Sequence, residues 1–158
     1  MQEMRRMWRF NGLTLIEVLV AVVILAVLAG LGLPALNAYS DRAYRAEAQG
    51  DLVACALALE RWAGVRFTYQ GTADTDADGA GDADDGPIAT EVCASRSVAE
   101  GRYRIRIAAS AEGFALTAYP EAGSPMVGDG FLTLDEAGNR GWDRNDDGEL
   151  VAEENGWE

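Results

Sequence analysis

Residues 11–34 read NGLTLIEVLVAVVILAVLAGLGLP, an apolar run that carries a single charge, Glu17. From Leu13 to Leu33 the run supplies 21 residues. A helix of that length rises about 30 Å, enough to cross the hydrocarbon core of a bilayer. Arg5, Arg6 and Arg9 precede it. Positive residues on one flank stay on the cytoplasmic side, so the rest of the chain is expected on the other. No Ala-x-Ala site follows the run, which favours retention of the segment over secretory cleavage and removal. On these grounds alone the segment is an anchor for an exported domain.

A plain anchor does not account for Glu17. A carboxylate in a lipid-facing helix costs several kcal/mol unless it is paired or close to the interface. Gly12 followed by LTLIE, an apolar helix and Pro34 resembles the type III signal of type IV pilins and pseudopilins. The resemblance implies that a prepilin peptidase cuts after Gly12 and methylates the new amino terminus of Leu13, where the family's usual residue is Phe. It also implies that Glu17, the fifth residue of the mature chain, pairs with the amino terminus of a neighbouring subunit during filament assembly. Opposite charges attract strongly in a low-dielectric helix bundle, so such a pair would select register more than add stability.

The expected organisation is a leader peptide at 1–12, a transmembrane and assembly helix at 13–34, and the amphipathic half of the same helix at 35–64. In that second half Tyr39, Ala43, Ala46, Gly50, Val53 and Leu57 recur at spacings of three and four, which predicts the core-facing stripe. Asp41, Arg42, Arg45, Glu47, Asp51, Glu60 and Arg61 then fall on a solvated face or on contacts to other subunits. Gly30, Gly32 and Pro34 weaken helical hydrogen bonding and mark a place for a bend or a local melt.

Residues 65–102 are a Gly- and Asp-rich connection. Strands follow over 103–142: Tyr103, Ile105, Ile107 and Ala109 alternate with Arg104, Arg106 and Ala108, and FALTAY at 114–119 alternates likewise. FLTLD at 131–135 and RGW at 140–142 flank a turn at Gly138 and Asn139, a further hairpin. The expected fold class is therefore α+β, a long N-terminal α-helix packed on a three- or four-stranded antiparallel β-sheet. This order is similar to the type IV pilin fold, and GFLTLDEAGNRGW resembles the late hairpin of minor pilins.

Composition narrows the function. The 158 residues are 49% apolar, enough to build a core, and carry a formal charge of −13 with 13 Arg, no Lys and no His. An acidic chain disfavours nucleic-acid binding through a general basic surface. Without His the commonest neutral-pH general base is missing, and with no Ser elbow or phosphate loop an enzyme is not expected. Cys55 and Cys93 are far apart in sequence with no CxxC; in an exported domain one structural disulfide is the leading reading over two buried thiols.

Two acidic loops carry the remaining chemistry. DRNDDGELVAEE, residues 143–154, fits the twelve-residue calcium pattern D-x-[DN]-x-[DN]-G-x5-E. Asp143, Asn145 and Asp147 would offer side-chain oxygens, Glu149 its carbonyl, and Glu154 a bidentate carboxylate. DTDADGAGDADD, residues 74–85, is a weaker match. It has Asp74, Asp76, Asp78, the Ala80 carbonyl and Asp82, but ends in the shorter Asp85, with Gly81 at the usual apolar place. A solvated acidic loop is the alternative for each. The row Arg102, Arg104, Arg106 could meet DNA phosphates, but pairing with surrounding carboxylates is the expectation, so nucleic acid is not an expected partner.

Taken with the resemblance, these features imply a structural subunit of a type IV pilus, a minor pilin braced by calcium and one disulfide and supporting motility, adhesion or DNA uptake. The alternative is a pseudopilin of a type II secretion system. Implied partners are other pilin subunits, prepilin peptidase, the inner membrane before assembly and the inner-membrane pilus assembly machinery. The implied location is the inner membrane with the domain in the periplasm, then the extracellular pilus.

Overall fold

The computed structural model describes residues 14–157, and for 31–35 the backbone only. Gly12 and Leu13, the expected processing site, lie outside the described residues. Helix α1 runs Leu15–Arg66. It opens on Thr14, whose carbonyl and hydroxyl both accept the Glu17 amide, at 3.1 and 3.3 Å, so the first turn has an N-cap. The helix is unbroken through Gly30, Gly32 and Pro34, so the expected melt does not occur. Leu and Ala immediately on either side favour the helix. It ends at Phe67, held at φ +60° with its amide donating to the Ala63 carbonyl at 2.7 Å. That left-handed position after a helix is one usually given to glycine.

The chain divides into two compact units, up to Tyr39 and from Ser40 onward. In the first, α1 exposes its apolar side chains: Leu15, Ile16, Leu19, Val22, Leu25 and Leu28 are all at least half exposed. Among the described residues no helix is long and apolar enough to cross a membrane. The described side chains of the expected span stop at Gly30.

In the second unit a five-stranded antiparallel meander packs on α1, in the order β1-β2-β3-β4-β5. The strands are β1 Asp85–Pro87, β2 Tyr103–Ala109, β3 Phe114–Pro120, β4 Leu132–Asp135 and β5 Arg140–Trp142. A one-turn helix, α2, spans Arg96–Ala99. The three or four expected strands are thus five. The extra one, β1, is only DGP, which reads as a turn in isolation; Pro87 is tolerated because β1 is the sheet edge, where a missing amide costs no ladder bond.

Alternation decides the sheet's inner face. Tyr103, Ile105 and Ile107 of β2, Phe114, Leu116 and Ala118 of β3, and Leu132 and Leu134 of β4 are buried against Ala48, Leu52, Cys55 and Leu59 of α1. Each fully buried Leu or Ile contributes about 1.5–3 kcal/mol relative to exposure. The buried helix face is the reverse of the one predicted. Tyr39 and Leu57 of the predicted stripe are 74% and 60% exposed, while residues at 48, 52, 55 and 59, also spaced by three and four, fill the core. Both faces of this helix are rich in small and apolar side chains, so periodicity marks two candidate stripes and only the sheet chooses between them. Of the charges expected on a solvated face or on contacts to other subunits, Arg42, Glu60 and Arg61 are exposed, whereas Arg45, Glu47 and Asp51 are drawn inward. Asp51 accepts the Ser97 amide at 2.8 Å, Glu47 pairs with Arg102, and Arg45 pairs with Asp129.

Cys55 and Cys93 are joined in a disulfide with Cα atoms 5.2 Å apart. Both are buried, and the bond fastens α1 to the connection before α2. Closing a loop of 38 residues is worth about 4 kcal/mol in chain-entropy terms.

Candidate functional site

Three regions hold the residues singled out above. The first is the exposed apolar length of α1. Glu17 is its only charge between Leu15 and Ser40 and is itself exposed. It stands three residues after Thr14, in the first turn, where a carboxylate is favoured by the helix dipole.

The second is the loop after α1. Asp74 is nearly buried and accepts two amides, from Ala77 at 2.7 Å and from Gly79 at 2.8 Å. Asp76 accepts the Asp78 amide and Asp78 accepts the Ala80 amide, so each carboxylate closes a short turn on itself. Ala77 and Gly79 take positive φ to make these turns. A ligand oxygen from each of Asp74, Asp76 and Asp78 then lies within 4.8 Å of the others. The other candidate ligands are placed differently. Asp82 is taken up by Thr75, accepting its amide at 2.9 Å and its hydroxyl at 2.8 Å. Asp85 belongs to β1 and pairs with Arg106 at 2.8 Å.

The third is the C-terminal loop. Asp143 is fully buried and accepts the amides of Asp147 at 3.2 Å and Gly148 at 3.0 Å. Asn145 and Asp147 are bonded to each other, and Asp147 accepts the Glu149 amide at 2.9 Å. Glu154 sits in a 3-10 turn, Ala152–Glu154, and reaches back to the amides of Arg144 at 3.0 Å and Val151 at 3.2 Å. Both ends of the predicted calcium loop are therefore buried and aimed at its backbone. Among the described residues a grouping of three carboxylates is found in the 74–78 loop; the expected ligand set of the C-terminal loop includes the Asn145 side chain and the Glu149 carbonyl, which are not carboxylates.

An Asp-rich group of this kind could hold a metal. The donors are all oxygens and the cysteines are locked in a disulfide, a set suited to a hard cation and unsuited to zinc or copper.

Sequence reasoning missed a polar centre within the second unit. Asp129, in the connection between β3 and β4, accepts the Arg45 guanidinium through both oxygens and the Tyr103 hydroxyl at 3.2 Å. Its carbonyl accepts the Trp142 indole N–H at 2.7 Å, and the Arg45 guanidinium lies over the Trp142 ring at 3.8 Å. Burial pushes the Tyr103 hydroxyl well above the ordinary tyrosine range, and the Asp129 carboxylate adds to it. The hydrogen bonds that Arg45 donates to the Asp129 carboxylate hold its guanidinium above the ordinary arginine value, against the cost of burial. No local motif announces this cluster, because its members come from three separate elements and a connection.

The row of three arginines is engaged. Arg102 pairs with Glu47 and Glu100, Arg104 lies 3.8 Å from Glu121, and Arg106 pairs with Asp85.

Residues 34–129 match the family described as Type IV minor pilin ComP, DNA uptake sequence receptor, and residues 9–33 match the prokaryotic N-terminal methylation motif. Over 62 residues the chain is 42% identical to the type II secretion system core protein G of Pseudomonas aeruginosa, a stretch covering 39% of this chain and 44% of that protein. The chain thus spans less than half the length of that curated relative. No solved structure matches.

Proposed function

This chain belongs to the family of type IV minor pilins, and from that membership we propose that it is a filament subunit released by cleavage after Gly12 and polymerised through α1. The observation that carries the reading is the first half of α1, an exposed apolar surface with Glu17 as its only charge. In water such a surface is unfavourable at about 25 cal/mol per Å². In a bilayer it is solvated by lipid, and in a bundle of like helices it is buried. The same segment thereby serves as anchor before assembly and as core afterwards. Partners on this reading are other pilin subunits, a prepilin peptidase and an inner-membrane assembly machinery. The domain stands in the periplasm first and on the extracellular filament later, and its role is structural, not enzymatic.

The test is Glu17→Ala expressed beside the wild-type chain. The variant should reach the membrane and be cleaved normally, yet be at least tenfold depleted from sheared filaments. Equal incorporation would remove the pairing of Glu17 with a neighbouring amino terminus.

The acidic loops belong to the same reading as calcium braces. Asp74, Asp76 and Asp78 would hold the ion in the first loop, with Ala80, Asp82 and Asp85 completing the sequence pattern. Asp143, Asn145, Asp147, Glu149 and Glu154 would hold it in the second. A bound divalent cation offsets the mutual repulsion of these carboxylates in segments that have no apolar core of their own.

A second reading, a pseudopilin of a type II secretion system, is favoured by the 42% identity to core protein G, confined to 62 residues. Deletion separates the two: loss of surface filaments supports the pilin, and a secretion defect with filaments intact supports the pseudopilin. The family description also names a DNA uptake sequence receptor. In this chain the carboxylates of Glu47, Glu100, Glu121 and Asp85 already occupy the arginine row, and with a net charge of −13 we leave DNA contact outside the proposed role.

A further inference from the structure

The acidic loop at 74–82 is held from outside as well as by its own carboxylates. The Gly79 carbonyl accepts the Glu91 amide at 3.0 Å and the Thr90 hydroxyl at 3.3 Å, and the Glu91 carboxylate accepts the Gly81 amide at 3.0 Å. Space is tight at this junction: a Cβ on Gly79 would press on the Thr90 hydroxyl. Thr90 and Glu91 lie in a turn in which the Ala89 carbonyl accepts the amides of Val92 and Cys93, each at 3.0 Å. The far end of that turn is Cys93, bonded to Cys55 in the buried face of α1. The near end is fixed by the Ala89 amide on the Thr72 carbonyl at 2.9 Å.

We propose that the Cys55–Cys93 disulfide, acting through Thr90 and Glu91, sets the geometry of the Asp74–Asp82 loop, so that the loop reaches its ordered form only when the two thiols have been oxidised. Oxidation removes two electrons and two protons from Cys55 and Cys93 and passes them to a disulfide oxidant, leaving one Sγ–Sγ bond and two thiols on the oxidant. Without the bond, the turn at 89–93 keeps its tie to Thr72 but loses its tie to α1. Thr90 and Glu91 then have no fixed position from which to hold Gly79 and Gly81. Glu91 is thus a positioning residue for the loop, acting on its backbone and not on any ligand. The coupling stands independently of a bound ion. Its consequence for cation binding, that a site in this loop is complete only after export to an oxidising compartment, rests on the calcium reading above.

The experiment is hydrogen exchange on the full chain in detergent micelles, comparing wild type with the Cys55→Ala, Cys93→Ala double variant and with Glu91→Ala. In the double variant, exchange at the Ala77, Gly79 and Gly81 amides should rise about tenfold while residues 103–120 keep their protection. In Glu91→Ala, with the disulfide intact, the Gly81 amide should be exposed by a similar factor. The effect of Glu91→Ala should shrink when both cysteines are absent, because the two changes break one path. Unchanged loop exchange in either protein overturns the proposal. So does an equal loss of protection across 103–120 in the double variant, since the bond would then be a general brace with no particular hold on the loop.

Discussion

The α-carbon of Gly130 faces the carbonyl oxygen of Asp143 with no room for a methyl group between them. Gly130 is also at φ +73°, a conformation that L side chains rarely adopt. Through this contact the connection carrying Asp129 is pressed against the first residue of the C-terminal acidic loop, and the Asp143 amide donates to the Phe131 carbonyl at 3.0 Å on the same strand end.

Gly130→Ala therefore combines backbone strain with a clash against backbone that cannot rotate away. The expected destabilisation is about 2–4 kcal/mol, read as a lower melting temperature of the full chain in detergent. Gly101→Ala is the control: its φ is also positive, at +66°, but a Cβ there meets open space, so only the strain remains, about 1 kcal/mol. Equal losses in the two variants would show that the contact with Asp143 is unimportant.

The pair Arg45–Asp129 joins α1 to the sheet side of the domain, with both side chains largely shielded from water. Removing one partner leaves the other charge poorly solvated. Asp129→Ala and Arg45→Met are each expected to cost about 3 kcal/mol in chemical denaturation. The double variant should cost much less than the sum, because once both charges are gone none is stranded. Additive effects would mean that the two residues do not act as a pair.

Tyr103 supplies a pH dependence with a definite sign. Its hydroxyl is held above the ordinary tyrosine value of 10 in the folded protein, so the folded state retains the proton that the unfolded state has lost. Stability from this residue is fully present below about pH 10 and declines as pH rises beyond it. Ultraviolet titration should find one tyrosine that ionises only as the protein unfolds, and Tyr103→Phe should remove that step. A normal titration of every tyrosine in folded protein would contradict the burial of this hydroxyl beside Asp129.

Calcium is expected to raise the melting temperature in a saturable way. A ligand bound only by the folded state adds about 2.7 kcal/mol at a hundred times its dissociation constant. Asp74→Asn and Asp143→Asn assign the effect to one loop or the other. Each substitution should remove the part of the shift that its own loop supplies and leave the rest. No calcium-dependent shift in wild type would remove both braces.

Duplex DNA should be retained by the full chain no better than by an acidic protein of similar size, and Arg104→Ala with Arg106→Ala should leave that retention unchanged. Filter binding across a salt series checks this. Tight binding that weakens steeply with salt would show phosphate contacts and restore the DNA reading.

The sequence by itself determined the elements whose signal is local. The apolar run was legible as a helix, and the chain is helical from Leu15 onward. Alternation in YRIRIAA and FALTAY states which side of each strand is buried, because side chains of a strand point to opposite faces in turn. The acidic loops were visible as patterns for the same reason, since their candidate ligands lie close together in sequence. Tertiary structure decided what local signals leave degenerate. It chose the Ala48–Leu52–Cys55–Leu59 face of α1 over the equally periodic Tyr39–Leu57 face, because burial depends on where the sheet sits. It made a strand of DGP by offering it the edge of β2. It also assembled Arg45, Tyr103, Asp129 and Trp142 from three elements and a connection, and set Glu91 against Gly81, contacts between residues whose partners lie elsewhere in the chain and which only the folded chain brings within reach.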